Sequence, residues 1–249
     1  MTDKKLVAEM PGKRLYRCGD RAVKEFDENY SKADILNESL NQARVEETDL
    51  NIPKITAVEV VDGKWSIIMD YIDGVTLEQL MTEHPEKEEE YLDLFVDLQR
   101  TVLSKRVPML NKLKDKMQAK ISAANLDATT RYDLHTRLDS LPKHYNLCHG
   151  DFNPSNIIIT ADGTPFIIDW AHATQGNASA DVARTYLVFY LQGKQQLAEK
   201  YLNLYCKKSD TAKQYVQKWI PIVAASRLTA AKKDEEEFLR KWIDVVDYE

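Results

Sequence analysis

The chain has 249 residues, 43% of them hydrophobic, and its 34 lysines and arginines face 40 aspartates and glutamates, a net charge of −6 at pH 7. A protein that coats DNA or RNA needs a basic surface to displace phosphate counterions, so that class is excluded, while the apolar content suits a buried core in one large domain or two modest ones. Three scattered cysteines (Cys18, Cys148, Cys206) offer neither a disulfide framework nor a CxxC metal site, and the longest apolar stretches, such as Trp219 to Ala225, fall far short of the roughly 20 residues of a membrane span.

In chain order, the N-terminal residues Met1 to Lys5 lead into no apolar signal core, and a soluble, cytoplasmic protein is expected. Leu15 to Phe26 predicts a hairpin around Gly19-Asp20, and Ile55 to Ile72 a second around Asp62-Gly63. Between them Ser31 to Glu47 predicts a helix. Ser31 and Asp34 form its capping pattern, and Leu36, Leu40 and Ala43 recur at helical spacing. From Leu77 the pattern turns helical, over Leu77 to Glu83, Glu86 to Arg106 and Leu113 to Leu141. The basic run Lys112 to Lys116 at the start of the last of these reads as a solvated helix face. One further hairpin, Asn156 to Asp169, pairs two isoleucine-rich runs across Asp162-Gly163, and helical patterns resume from Asp181. The expected fold class is α+β, with a small β-rich part over residues 1–72 and a larger, mainly helical part over 73–249. The last 16 residues, from Asp234, hold seven acids and two bases and leave the rest of the chain nearly neutral.

The densest polar cluster in an apolar setting runs from Cys148 to Asn156 and is followed, after the hairpin, by Ile168-Asp169-Trp170. A hairpin brings its ends together, so Asn156 and Asp169 are expected side by side at the open end of two buried strands. Mg²⁺ takes oxygen ligands of this kind, one or two from protein and the rest from phosphate and water. Asp151, five residues earlier, is a third oxygen donor, and a carboxylate beside a metal-bound nucleotide can orient an attacking hydroxyl or accept its proton. Taken singly, Asp151 and Asn156 also read as turn formers around Pro154, and Asp169 as a strand terminus. That reading leaves unexplained why three oxygen side chains converge on one hairpin mouth.

The stretch His149-Gly150-Asp151-Phe152-Asn153-Pro154-Ser155-Asn156 resembles the HGDxxxxN loop of the aminoglycoside phosphotransferase and choline kinase family, small-molecule kinases with a bilobal, protein-kinase-like fold, and Ile168-Asp169-Trp170 resembles that family's metal-binding segment. The resemblance implies Asp151 as catalytic base, Asn156 and Asp169 as Mg²⁺ ligands, and Asp181 as a brace for the catalytic loop. It also implies a nucleotide site. Lys24 in Ala22-Val23-Lys24 would be the phosphate-binding lysine and Glu38 its partner, with Glu46 and Glu47 less well placed. Ile67 to Gly74 is similar to the hinge that holds adenine through the carbonyl of Asp70 and the N–H of Ile72, with Met69 lining the pocket, and Asn153 joins the nucleotide-binding set. The chain departs from the family pattern in three places. It has no GxGxxG, so Pro11-Gly12-Lys13 must turn over the phosphates. Asn153 and Ser155 stand where many relatives carry His and Gly, and Leu98-Gln99 where the family often shows Leu-His.

The implied function is transfer of the γ-phosphoryl group of ATP or GTP, with Mg²⁺, to a hydroxyl of a small molecule. The acidic C-terminal segment suggests a cationic acceptor, an amino sugar or amino alcohol, as one possibility and a solvated tail as the other. Competing readings are a catalytically inactive nucleotide-binding scaffold and an atypical protein kinase. A scaffold is expected to lose at least one of Lys24, Asp151, Asn156 and Asp169, and all four are present.

Overall fold

A computed structural model describes residues 4–243. In chain order the strands are β1 (Lys4–Met10), β2 (Lys13–Cys18), β3 (Arg21–Phe26), β4 (Ile55–Val61), β5 (Lys64–Asp70), β6 (Gly74–Thr76), β7 (Asn146–Cys148), β8 (Ile157–Thr160), β9 (Pro165–Ile167) and β10 (Thr174–Gly176). The helices are α1 (Lys32–Val45), α2 (Leu77–Glu83), α3 (Glu88–Ser104), α4 (Leu113–Ala123), α5 (Ala128–Ser140), α6 (Ala178–Leu191), α7 (Gln195–Ser209), α8 (Lys213–Gln217), α9 (Ile220–Leu228) and α10 (Lys233–Ile243). None is long and apolar enough to cross a membrane. The expected α+β class holds, a five-stranded antiparallel sheet near the N-terminus and a larger helical part.

The chain forms two compact units, residues 1–87 with 154–173, and residues 88–153 with 174–249. The first unit contains the sheet β1-β2-β3-β5-β4, which has one more strand than the two expected hairpins supply. That extra strand, β1, has no clean two-residue alternation, and pairs with β2 through a bulge between Leu6 and Ala8. The helix α1 starts where the capping pattern places it, with the Ser31 hydroxyl accepting from the N–H of Asp34 at 3.1 Å. Its buried face is not the expected one. Leu36 and Leu40 are 42% and 47% exposed and Ala43 also faces solvent, while Ile35, Glu38, Ser39, Asn41, Gln42 and Val45 are buried. The buried polar groups are bonded: Gln42 Nε2 donates to the Pro53 carbonyl at 2.7 Å and Asn41 Nδ2 to that of Ala171 at 3.1 Å. Ile35 meets Phe26 and Ile67 in the core between α1 and the sheet.

The same unit extends to Lys87 and takes in the β8–β9 hairpin because β6 pairs with β8, Val75 opposite Ile159. The hairpin turns at Asp162-Gly163 as expected, with Ile157 opposite Ile167.

The second unit is helical apart from the β7–β10 pair. The region Leu113 to Leu141 is two helices rather than one, because Asp127 ends the run by capping α5, its carboxylate accepting from the N–H of Thr130 at 2.9 Å. The core gathers Phe152, Phe189 and Tyr201 around Phe95, with ring centroids 4.9, 5.9 and 5.7 Å from it. Phe152 directly follows Asp151, so packing of this aromatic group fixes the loop that carries the carboxylate.

Candidate active site

Within the first unit the structure brings Lys24, Glu38 and Asp169 together. Lys24 sits on β3 with its ammonium buried; it bonds Glu38 of α1 and reaches Asp169 Oδ1 at 3.4 Å. Burial works against the ammonium, but the charges of Asp169 and Glu38 outweigh it and hold Lys24 above its ordinary pKa. Glu38 is shared, since its Oε2 accepts from Lys13 Nζ at 2.9 Å. Lys13 is a second cation beside the pair, and sequence reading placed it only in the phosphate turn. That turn is Pro11-Gly12, with Gly12 at φ +73°, where a Cβ would also stand 2.7 Å from the Tyr30 ring.

Asp169 follows β9 in a left-handed conformation, φ 63° and ψ 64°. Only aspartate, asparagine and glycine adopt this readily, and such a backbone is typical of functional positions. Asn156 lies across the hairpin, its carbonyl accepting from the N–H of Ile168 at 3.0 Å, so the amide and the Asp169 carboxylate belong to neighbouring strand ends. A carboxylate plus an amide oxygen is a donor set that fits Mg²⁺. Met69 and Asp70 end β5. Met69 is opposite Ala22 in the sheet and its sulfur is 3.8 Å from Gln42 Nε2. The Asp70 side chain accepts from Arg21 at 3.2 Å and from the N–H of Lys54 at 3.1 Å. Ile72 follows in the segment that leads into β6 and is half-buried.

The second unit holds Asp151 and Asn153. Asn153 Nδ2 donates to the Asp151 carbonyl at 3.0 Å and to its carboxylate at 3.3 Å. The loop is held from several sides. The N–H of Gly150 donates to Asp181 Oδ1 at 2.7 Å, that of Asp151 to His149 Nδ1 at 3.2 Å, and the Thr185 hydroxyl to the Phe152 carbonyl at 2.7 Å. Gln99 donates to Thr185 at 3.2 Å and accepts from Tyr201, so the residue that departs from Leu-His is part of the loop's buried support. Asp181 is not the cap of α6; Asn177 is, its Oδ1 accepting from the N–H of Ser179 at 2.9 Å. Burial pushes the Asp181 carboxyl up, against the opposing effects of His149 and the Gly150 N–H.

Arg184, one turn along α6, places Nη2 3.5 Å from Asp151 Oδ1. No motif signalled it. The basic run on α4 is also more than a solvated face. Lys114 donates to the Leu141 carbonyl at the end of α5, at 2.5 Å, and Lys116 is half-buried with Lys120 one turn on. Of the C-terminal acids, Glu235 accepts from Arg227 with both oxygens, at 3.0 and 3.1 Å, and Glu237 pairs with Lys241 at 3.0 Å. Asp244, Asp247 and Glu249 lie outside the described residues.

Known structures share this fold. An aminoglycoside phosphotransferase APH(4)-Ia crystallised as a thermostable apo mutant is similar over 98% of this chain and 93% of its own, at 16% identity and a TM-score of 0.70. A choline/ethanolamine kinase family protein from Mesorhizobium loti matches over 97% and 84%, at 13% identity and a TM-score of 0.62. The choline kinase LicA from Streptococcus pneumoniae matches over 96% and 92%, at 14% and 0.63. These likenesses concern the fold. No curated protein matches the chain. A model of the phosphotransferase enzyme family matches residues 16–219, which is most of the sequence, and the chain belongs to that family.

Proposed function

We propose that the chain is a cytoplasmic, Mg²⁺-dependent kinase that moves the γ-phosphoryl group of ATP or GTP to a hydroxyl of a small molecule. The observation that carries this reading is the buried Lys24 ammonium held jointly by Glu38 and by Asp169, the latter in a left-handed backbone conformation. An ammonium kept charged and fixed in position is suited to neutralising nucleotide phosphates. In support, APH(4)-Ia, at 15% identity, has been crystallised as a ternary complex with AMP-PNP and hygromycin B.

In this reading Lys24 and Lys13 answer the phosphates, with Glu38 fixing both cations. Met69 lines the adenine pocket, the Asp70 carbonyl and the Ile72 N–H bond the base, and Asn153 contacts the nucleotide. Asn156 and Asp169 hold Mg²⁺, which when bound neutralises charge on the phosphates. Asp151 accepts the proton of the acceptor hydroxyl as its oxygen bonds the γ-phosphorus and the bond to the departing ADP oxygen breaks. Arg184 and the Gly150 contact to Asp181 keep that carboxylate in place.

The test is ADP release from ATP and Mg²⁺, first with water alone and then with hydroxylated acceptors. Asp151→Asn is expected to lower kcat by about 10²–10⁴-fold, the usual contribution of a positioned base, with nucleotide affinity unchanged. Nucleotide binding without any ADP, even by slow transfer to water, would instead establish the inactive scaffold.

A further inference from the structure

One face of α1 carries three buried polar side chains at helical spacing, Glu38, Asn41 and Gln42. Glu38 holds Lys24 and Lys13, and Gln42 ties the helix to the Pro53 carbonyl. Asn41 is 2% exposed, and its Nδ2 donates at 3.1 Å to the carbonyl of Ala171, 130 residues away in sequence and two residues after Asp169. Its Oδ1 is buried with no hydrogen-bond partner among the described residues. An orphaned buried oxygen costs stability, and leucine, which branches in the same way, would carry no such cost. Packing alone therefore does not call for asparagine here. What the amide adds is its donor.

The backbone that this donor reaches needs holding. Asp169 stands in the left-handed region, and a backbone of that kind persists where its surroundings over-determine it. The chain then makes a single tight turn, Trp170–His172. The N–H of Ala173 closes it on the Trp170 carbonyl at 3.0 Å, and the Trp170 indole N–H donates to the Ile167 carbonyl at 3.0 Å. Those two bonds lie within the segment, whereas the Asn41 bond comes from outside it. Helix α1 thus meets the segment twice, at the Asp169 side chain through Glu38 and Lys24 and at the backbone through Asn41. We propose that Asn41 is a positioning residue, which fixes the backbone after Asp169 against α1 and so sets the Asp169 carboxylate for Mg²⁺. The proposal rests on the kinase reading, which assigns Asp169 to the metal. In this role the amide acts through Asp169, as hydrogen-bond partners outside the ligands orient the ligands of metal sites generally.

The test compares ADP affinity with and without Mg²⁺, measured by calorimetry on the full chain. Asn41→Leu removes the donor and keeps the branching, and Asn41→Ala removes it without added bulk, so that one variant serves if the other does not fold. Ile35→Val, which thins the core beside Phe26 and Ile67 from the same helix, controls for a change in stability alone. The gain in ADP affinity on adding Mg²⁺ is expected to shrink by about tenfold or more in both Asn41 variants and to stay at the wild-type value in Ile35→Val. ADP affinity without metal should be unchanged in all three, because Lys24, Glu38 and Lys13 are untouched. A wild-type Mg²⁺ gain in the Asn41 variants overturns the proposal. So does an equal loss in Ile35→Val, a parallel loss of metal-free ADP affinity, or loss of the fold in both Asn41 variants, since each assigns Asn41 to general stability. These outcomes leave the kinase reading intact. ADP binding by the wild-type chain that is indifferent to Mg²⁺ refutes the metal reading of Asp169, and the proposal with it.

Discussion

Asp151 is positioned by the residue before it. The half-buried Gly150 N–H has the buried Asp181 carboxylate as its partner at 2.7 Å, and a donor left there without an acceptor costs up to about 1–3 kcal/mol. Asp181→Ala is therefore expected to destabilise the chain by that amount and to lower kcat, because the loop loses its anchor next to the carboxylate. Asp181→Asn keeps an acceptor oxygen and removes the charge. Burial raises the folded Asp181 above its usual 3.8, so ionising this carboxyl costs the folded state stability at every pH above its folded pKa. Urea midpoints at pH 7 should then show Asp181→Asn at least as stable as wild type, with the difference shrinking as the pH falls toward 3.8 and the native carboxyl takes up its proton. An Asn variant as unstable as the Ala variant would show that charge, not the Gly150 bond, is what matters. At this scale the legible residues are those whose neighbours are local. Asp151, Asn156 and Asp169 stand in one loop and one hairpin, and Lys24 follows Ala22 on a short alternating strand. Lys13 on Glu38 and Arg184 on Asp151 were not legible, because each pairing depends on packing between distant elements rather than on spacing.

At the scale of elements, the same distinction separates α1 from the hairpins. Each hairpin has its turn signal within the sequence that it joins, and Gly163 in one turn and both Asp62 and Gly63 in the other adopt positive φ where the turns were placed. The faces of α1 were misread because apolar spacing assumes that a buried face is apolar. Here the inward face carries Glu38, Asn41 and Gln42, each with a partner supplied by another element. β6 escaped notice for a different reason: three residues are too few to show a period. Its placement is nevertheless exacting. A Cβ on Gly74 would stand 2.4 Å from the Ile159 carbonyl oxygen and 2.9 Å from its carbon, both backbone atoms. Gly74→Ala must therefore separate β6 from β8 and is expected to cost about 1–3 kcal/mol, the usual range for overpacking. Nucleotide affinity should fall as well, because the displaced strand begins two residues after Ile72. Wild-type urea midpoints for this variant would mean that β6 can shift without disturbing the hairpin.

For the whole molecule, the proposed function requires an acidic chain to bind a polyanion. The net charge of −6 gives no long-range attraction for ATP, so affinity must come from local groups, and those in the first unit are two lysines sharing one glutamate, with Asp169 adding a second carboxylate. Two carboxylates beside the proposed phosphate site would weaken nucleotide binding unless a cation offsets them, which would make binding conditional on Mg²⁺. Asp169→Asn isolates this effect, since asparagine tolerates the left-handed backbone that alanine would strain. ADP with Mg²⁺ at 100 times its Kd should add about 2.7 kcal/mol of stability, roughly 5–10 °C in Tm for a chain of this size. In Asp169→Asn the apo Tm should stay within about 4 °C of wild type, because Lys24 retains Glu38. The part of the ADP shift that appears only when Mg²⁺ is added should be lost, while ADP alone should bind at least as well as to wild type, one repelling carboxylate having been removed. A full Mg²⁺ increment in this variant would remove Asp169 from the metal site and leave its role as a counter-charge to Lys24.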